Sequence, residues 1–130
     1  MLQQTQVKTA IPYFKNFVKK MPNLKALSAS NDKKVLKLWE GLGYYRRARN
    51  LHKTAKILIK KYNGKLPKKF EEIKQLPGVG EYTARALLAF VYNQSHIPFD
   101  GNIERVFSRF FNTSLDKYVK NINMIINEQF

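Results

Sequence analysis

At 130 residues, with 24 Lys+Arg against 9 Asp+Glu and a formal net charge of +15, the chain is one domain's worth of a protein drawn to polyanions. It has no cysteine, which excludes disulfides and cysteinyl metal sites, and no apolar run near the roughly 18 residues of a membrane span or signal segment, which implies a soluble, cytoplasmic protein, nucleoid-associated if bacterial. Nucleic acid is the natural polyanion, although a lysine- and asparagine-rich composition also arises from mutational bias and surface solvation, so charge alone says nothing about chemistry.

Gln3 and Gln4 open the chain with long amides able to read base edges, although any surface glutamine pair looks the same. Thr5 then predicts a cap for a helix to about Lys20, with Val7, Ile11, Phe14 and Val18 as its apolar stripe and Pro12 in its first turns or at a kink. Asn31 predicts the cap of a helix to about Glu40 that buries Val35, Leu38 and Trp39 and ends at Gly41. A longer helix carries Leu51, Ala55, Leu58, Ile59 and Tyr62 inward and stops at Gly64. Between these two, Gly41 to Arg49 combines flexible backbone with Tyr44, Tyr45, Arg46, Arg47 and Arg49. Such a segment can stack on bases and fork onto phosphates, or else bury Tyr45 and solvate the arginines.

Phe70, Ile73 and Leu76 mark a short helix, and Ala84, Leu87, Leu88 and Val91 mark the next. They are joined by Leu76-Pro77-Gly78-Val79-Gly80, in which Pro77 turns the chain and the glycines permit left-handed backbone and close approach. A helix starting directly after such a turn offers unpaired N–H groups and partial positive charge to a phosphate; the alternative is an ordinary connector. Asp100, ahead of Gly101 and of a helix over Ile103, Val106, Phe107 and Phe110, is in residue terms an N-cap. Leu115, Val119, Ile122 and Ile126 mark a last helix opened by Thr113 or Ser114. No segment alternates as a strand does, so the expected fold is all-α.

Leu76-Pro77-Gly78-Val79-Gly80 with Thr83-Ala84 resembles the helix-hairpin-helix of base-excision DNA glycosylases. Met1 to Val7, Trp39 to Tyr45, Arg47 to His52 and Asp100-Gly101-Asn102 are similar, in the right order, to the MutY-type adenine DNA glycosylases. The resemblance implies a six-helix barrel as one domain over 1–130, with the hairpin at about 70–94, and excision of adenine opposite 8-oxoguanine or guanine in double-stranded DNA by a monomer. It makes Asp100 the carboxylate that stabilises an oxocarbenium-like sugar, and the segment of Gln3, Gln4 and Thr5 a part inserted into the duplex near the extruded base. Tyr44 becomes the wedge beside the oxidised guanine. Arg47, Arg49, Leu76, Gly78, Val79, Gly80 and Tyr82 complete the implied DNA contacts. Tyr82 stands where strand-cutting relatives carry a Schiff-base lysine, which implies a monofunctional enzyme that leaves an abasic site.

Two departures accompany the resemblance. The family's general-acid glutamate falls just before Met1, and its four iron–sulfur cysteines and C-terminal recognition domain lie beyond the segment. The chain is therefore expected to hold no metal and no cofactor, and to be the barrel portion of a longer enzyme, nearly inert by itself. A DNA-binding module without catalysis and a glycosylase for another damaged base are the competing expectations.

Overall fold

The computed structural model describes residues 1–112, and every regular element among them is a helix. The last helix expected from the sequence, with its Thr113 or Ser114 cap, lies outside the described residues. The chain divides into two compact units, Met1–Val79 and Gly80 onward. The first holds α1 (Val7–Lys20), α2 (Leu24–Ala29), α3 (Asp32–Lys37), α4 (Arg46–Tyr62) and α5 (Phe70–Lys74); the second holds α6 (Glu81–Tyr92) and α7 (Gly101–Phe111).

Trp39 anchors the core of the first unit. Its indole is 1% exposed and meets Phe17 edge-on, the ring centroids 6.0 Å apart, while Met21, Leu27, Val35, Leu42, Ala48 and Ala55 complete the cluster. The inward side of α1 is Ala10, Tyr13 and Phe17, with Phe17 in this cluster and Tyr13 packed against it. Val7, Ile11, Phe14 and Val18, the stripe expected from spacing, are all exposed. Both sets repeat at helical intervals, so periodicity could not choose between them; the aromatic contact with Trp39 does. Pro12 sits inside α1, in its second turn. The expected Thr5 cap is also absent, because the N-cap position is Gln6, without a side-chain bond, and the Thr5 hydroxyl is engaged elsewhere.

Asn31 caps α3 as expected, its side-chain oxygen accepting from the Lys34 N–H at 2.8 Å. Regular helix then stops at Lys37, and Leu38 to Gly41 continue as tighter turns, with Trp39, Glu40 and Leu42 donating to carbonyls three residues back. α2 has no counterpart in the sequence reading. Asn23 caps it through Ala26 at 2.9 Å, but six residues are too few to display a period.

α2 and α3 pack against α4. α4 buries Ala48, His52, Ala55 and Leu58, while Leu51, expected inside, is exposed. His52 can be buried because its Nδ1 lies 2.7 Å from Asp32 at the start of α3, a partner that no count of apolar residues reveals. Asn63 and Gly64 end α4 in left-handed conformation, both N–H groups returning to the Leu58 carbonyl. In the second unit Ala84 and Leu88 are buried, whereas Val91, Val106 and Phe110 are exposed. No described helix is long and apolar enough to cross a membrane.

Candidate functional site

α4 organises the first part of the site through Arg47, Asn50 and Thr54, at spacings of three and four that share one helix face. Asn50 and Arg47 line a groove of about 410 Å³ together with Gln3, Gln4, Tyr44 and Arg46. Gln4 and Tyr44 both adopt left-handed backbone, with φ of 54° and 48°. For residues other than glycine this conformation carries strain and is retained only where its surroundings enforce it. Tyr44 is 63% exposed, an aromatic ring presented to solvent beside the two glutamines. Tyr45, one alternative for the core, is 40% exposed instead, with its hydroxyl accepting from the Gly41 N–H at 3.4 Å.

Arg47 does not present its guanidinium to solvent as a phosphate ligand would. Nη1 donates to the carbonyls of Met1 (2.6 Å) and Gln3 and to the Thr5 hydroxyl (2.9 Å); Nη2 donates to the carbonyls of Leu42 and Gly43 at 3.3 and 3.2 Å. The same group lies over the Trp39 and Tyr44 rings, 5.6 and 5.4 Å from their centroids. Arg49, two residues on, lines a different surface groove with Lys33, Lys37 and Tyr45, since neighbours two apart on a helix point away from each other. Arg49 and Tyr44 are thus not brought together.

The hairpin turn is tied to α4 as well. The Thr54 hydroxyl donates to the Pro77 carbonyl at 3.2 Å, and the Val79 N–H closes the turn onto the Leu76 carbonyl at 3.0 Å. Gly78 has φ of 75°, and a Cβ there would lie 2.6 Å from Asn50 Nδ2 and 2.9 Å from Asn50 Cβ. Gly80 differs. Its φ is −87°, open to any residue, and a Cβ would meet nothing within 4 Å. The expectation that both glycines relieve backbone constraint holds only for Gly78, and neither conformation nor internal packing asks for glycine at position 80. Leu76, expected at the DNA surface, is buried beside Ile73 in the first unit, so its side chain serves packing. Asn50 and Thr54 are the site residues that the sequence reading missed. Asn50 stood inside the quoted Arg47 to His52 motif, but nothing local shows that it abuts a glycine 28 positions later.

In the second unit, Gly80 is the N-cap of α6 and supplies no side-chain cap; Glu81 in the first turn pairs with Arg85 at 3.0 Å. Tyr82 follows, 48% exposed. His96 is held below the usual imidazole range, first by partial burial and then by the Arg85 charge. Asp100 caps α7: its Oδ1 accepts from the N–H groups of Asn102 (3.0 Å) and Ile103 (2.8 Å), and its carbonyl accepts from Glu104. Its other oxygen, Oδ2, makes no hydrogen bond among the described residues. Capping therefore engages only one of the two carboxylate oxygens. Among the described residues no three His, Cys, Asp or Glu side chains gather as metal ligands would. An iron–sulfur cluster, held by cysteine thiolates, does not fit a chain without cysteine.

Three comparisons bear on this geometry. A family model described as HhH-GPD superfamily base excision DNA repair protein matches residues 1–129. An adenine DNA glycosylase of Buchnera aphidicola subsp. Baizongia pistaciae is 50% identical over 123 residues, covering 94% of this chain and 35% of the relative. The chain thus spans about a third of the length of that curated relative. A non-covalent endonuclease III–DNA complex superposes with a TM-score of 0.73 at 28% identity over 81% of this chain and 50% of the other. A thermostable thymine-DNA glycosylase shares the fold, with a TM-score of 0.80 at 22% identity over 96% of this chain and 61% of the other.

Proposed function

The chain belongs to the HhH-GPD superfamily of base excision DNA repair proteins, and from that premise we propose that it is the base-extruding and carboxylate-bearing part of an adenine DNA glycosylase, one helix-hairpin-helix domain over 1–130. The observation that carries this reading is Asp100, held by two backbone N–H groups through one oxygen, with the other oxygen not used by the cap. Breaking an N-glycosidic bond leaves positive charge on the sugar, and a fixed anion nearby stabilises it. At about 4 Å and an effective dielectric near 20, the interaction is roughly 4 kcal/mol, on the order of a thousandfold in rate.

The substrate is double-stranded DNA with adenine opposite 8-oxoguanine or guanine. The base must leave the stack before reaction, and Gln3, Gln4 and Tyr44 on one groove supply amides and a ring to occupy the space it vacates. The N-terminus of α6 faces a phosphate, a role supported by Gly80, which is glycine where the chain itself does not require one. Tyr82 offers no amine, so water is the nucleophile and the product is an abasic site. Neither Glu81, paired with Arg85, nor Glu104 is assigned as the acid that protonates adenine.

The test is a single-turnover assay on a duplex with adenine opposite 8-oxoguanine, using this chain and a longer protein in which it is extended at both ends to the length of its relatives. The longer protein releases adenine without cutting the strand. The 130-residue chain binds the duplex but turns over more slowly by roughly 10²–10⁴-fold, the usual contribution of positioned proton transfer. Strand cleavage would overturn the monofunctional assignment, and absence of adenine release from the longer protein would overturn the proposal.

A further inference from the structure

We infer that Arg47 is a positioning residue: it locks the glutamine segment and the Tyr44 turn into one preformed wall, so that discrimination of a mismatched base pair depends on it while general DNA binding does not. The inference rests on the proposed reading of the groove.

The argument begins with donors. An arginine has five N–H groups in a planar fork. In Arg47 the two on Nη1 are shared among the Met1 carbonyl, the Gln3 carbonyl and the Thr5 hydroxyl, and the two on Nη2 go to the carbonyls of Leu42 and Gly43. The fifth, on Nε, is buried without a partner. No donor remains for a phosphate. The acceptors belong to two segments, Met1 to Thr5 and Leu42–Gly43, that lie far apart in the sequence and meet on this one side chain.

Those acceptors bracket the strained residues. Gln4 lies between Gln3 and Thr5, both bonded to Nη1; Tyr44 follows Gly43, its own carbonyl accepts from the Arg47 N–H at 2.9 Å, and its ring stacks under the guanidinium. Left-handed backbone at two non-glycine residues persists only when neighbouring groups over-determine it, and one fork does so for both. A lysine retains the charge but cannot span five acceptors in a plane or stack in the same way.

The experiment compares Arg47→Lys and Arg47→Met with Leu58→Ala, a buried α4 substitution that lowers stability without touching the groove. Backbone ¹⁵N order parameters of Gln3, Gln4 and Tyr44 and competition between mismatched and matched duplex are read together. Both Arg47 variants should drop the order parameters of Gln4 and Tyr44 from about 0.85 to below about 0.6. They should also lose about tenfold in mismatch preference with matched binding unchanged within about twofold. Leu58→Ala should keep both. Parent-like order in Arg47→Lys, equal loss of matched and mismatched binding, or the same loss in Leu58→Ala would each overturn the inference. Should the parent show no mismatch preference, the proposed function fails, and the order parameters alone decide the role of Arg47.

Discussion

Around Asp100 the side-chain bonds are local, accepted from backbone N–H groups two and three residues ahead, whereas around Arg47 one fork joins carbonyls four and five positions back to a segment more than forty positions away. The first arrangement engages only Oδ1 and so tolerates isosteric replacement of Oδ2. The second leaves no donor open and tolerates little. The carboxylate is thus held by a helix cap, a device of its own turn, while the backbone of Gln4 and Tyr44 is held by long-range convergence.

The largest effect expected from this contrast is chemical. In the longer protein, Asp100→Asn should lower adenine release about a thousandfold, the value of one anion near the sugar. Its melting temperature should stay within a few degrees of the parent's, because asparagine caps as well as aspartate. Rate measurement with a thermal melt checks it, and release at the parent's rate would leave Asp100 only as a cap.

Next in size is a pair that sharpens the same contrast at the hairpin. Gly78→Val combines left-handed backbone with a clash against Asn50 and should destabilise the chain by about 3 kcal/mol, visible as an earlier denaturant midpoint. Gly80→Val should fold like the parent, since space and φ both permit it, yet weaken binding to any duplex about tenfold by blocking backbone approach to a phosphate. Full-strength binding by a folded Gly80→Val protein would remove the hairpin from the interface.

The smallest effect is on selectivity alone. Tyr44→Ala should cut the preference for mismatched over matched duplex several-fold, the worth of roughly 1 kcal/mol of stacking, and leave matched binding intact. Loss of both in parallel, measured by competition, would make Tyr44 a folding residue.

How much of this was legible in the chain follows the same division. Asn31 as a cap, Asp100 as a cap and the stop at Gly64 could be read because each is decided by bonds within a turn or two of its own position, and Trp39 in the core because of its large apolar side chain. The motif order also pointed to the glycosylase family, which the family match supports. The face of α1, the burial of His52, the engagement of Thr5 and Arg47 and the reason for glycine at 78 could not be read, because each depends on a partner supplied by another element.

What the sequence by itself determined, then, is helical class, positive charge, the positions of several helix ends and the chemical type at each motif, all properties of local spacing and side-chain chemistry. Only the tertiary structure decided which of two apolar stripes of α1 is buried, that Arg47 points inward while Arg49 lines another groove, and that Gly78 answers to Asn50 whereas Gly80 answers to nothing in the chain. The physical reason is that a hydrogen-bond fork, a ring contact and a steric limit are properties of pairs, and the second member of each pair here lies tens of residues away.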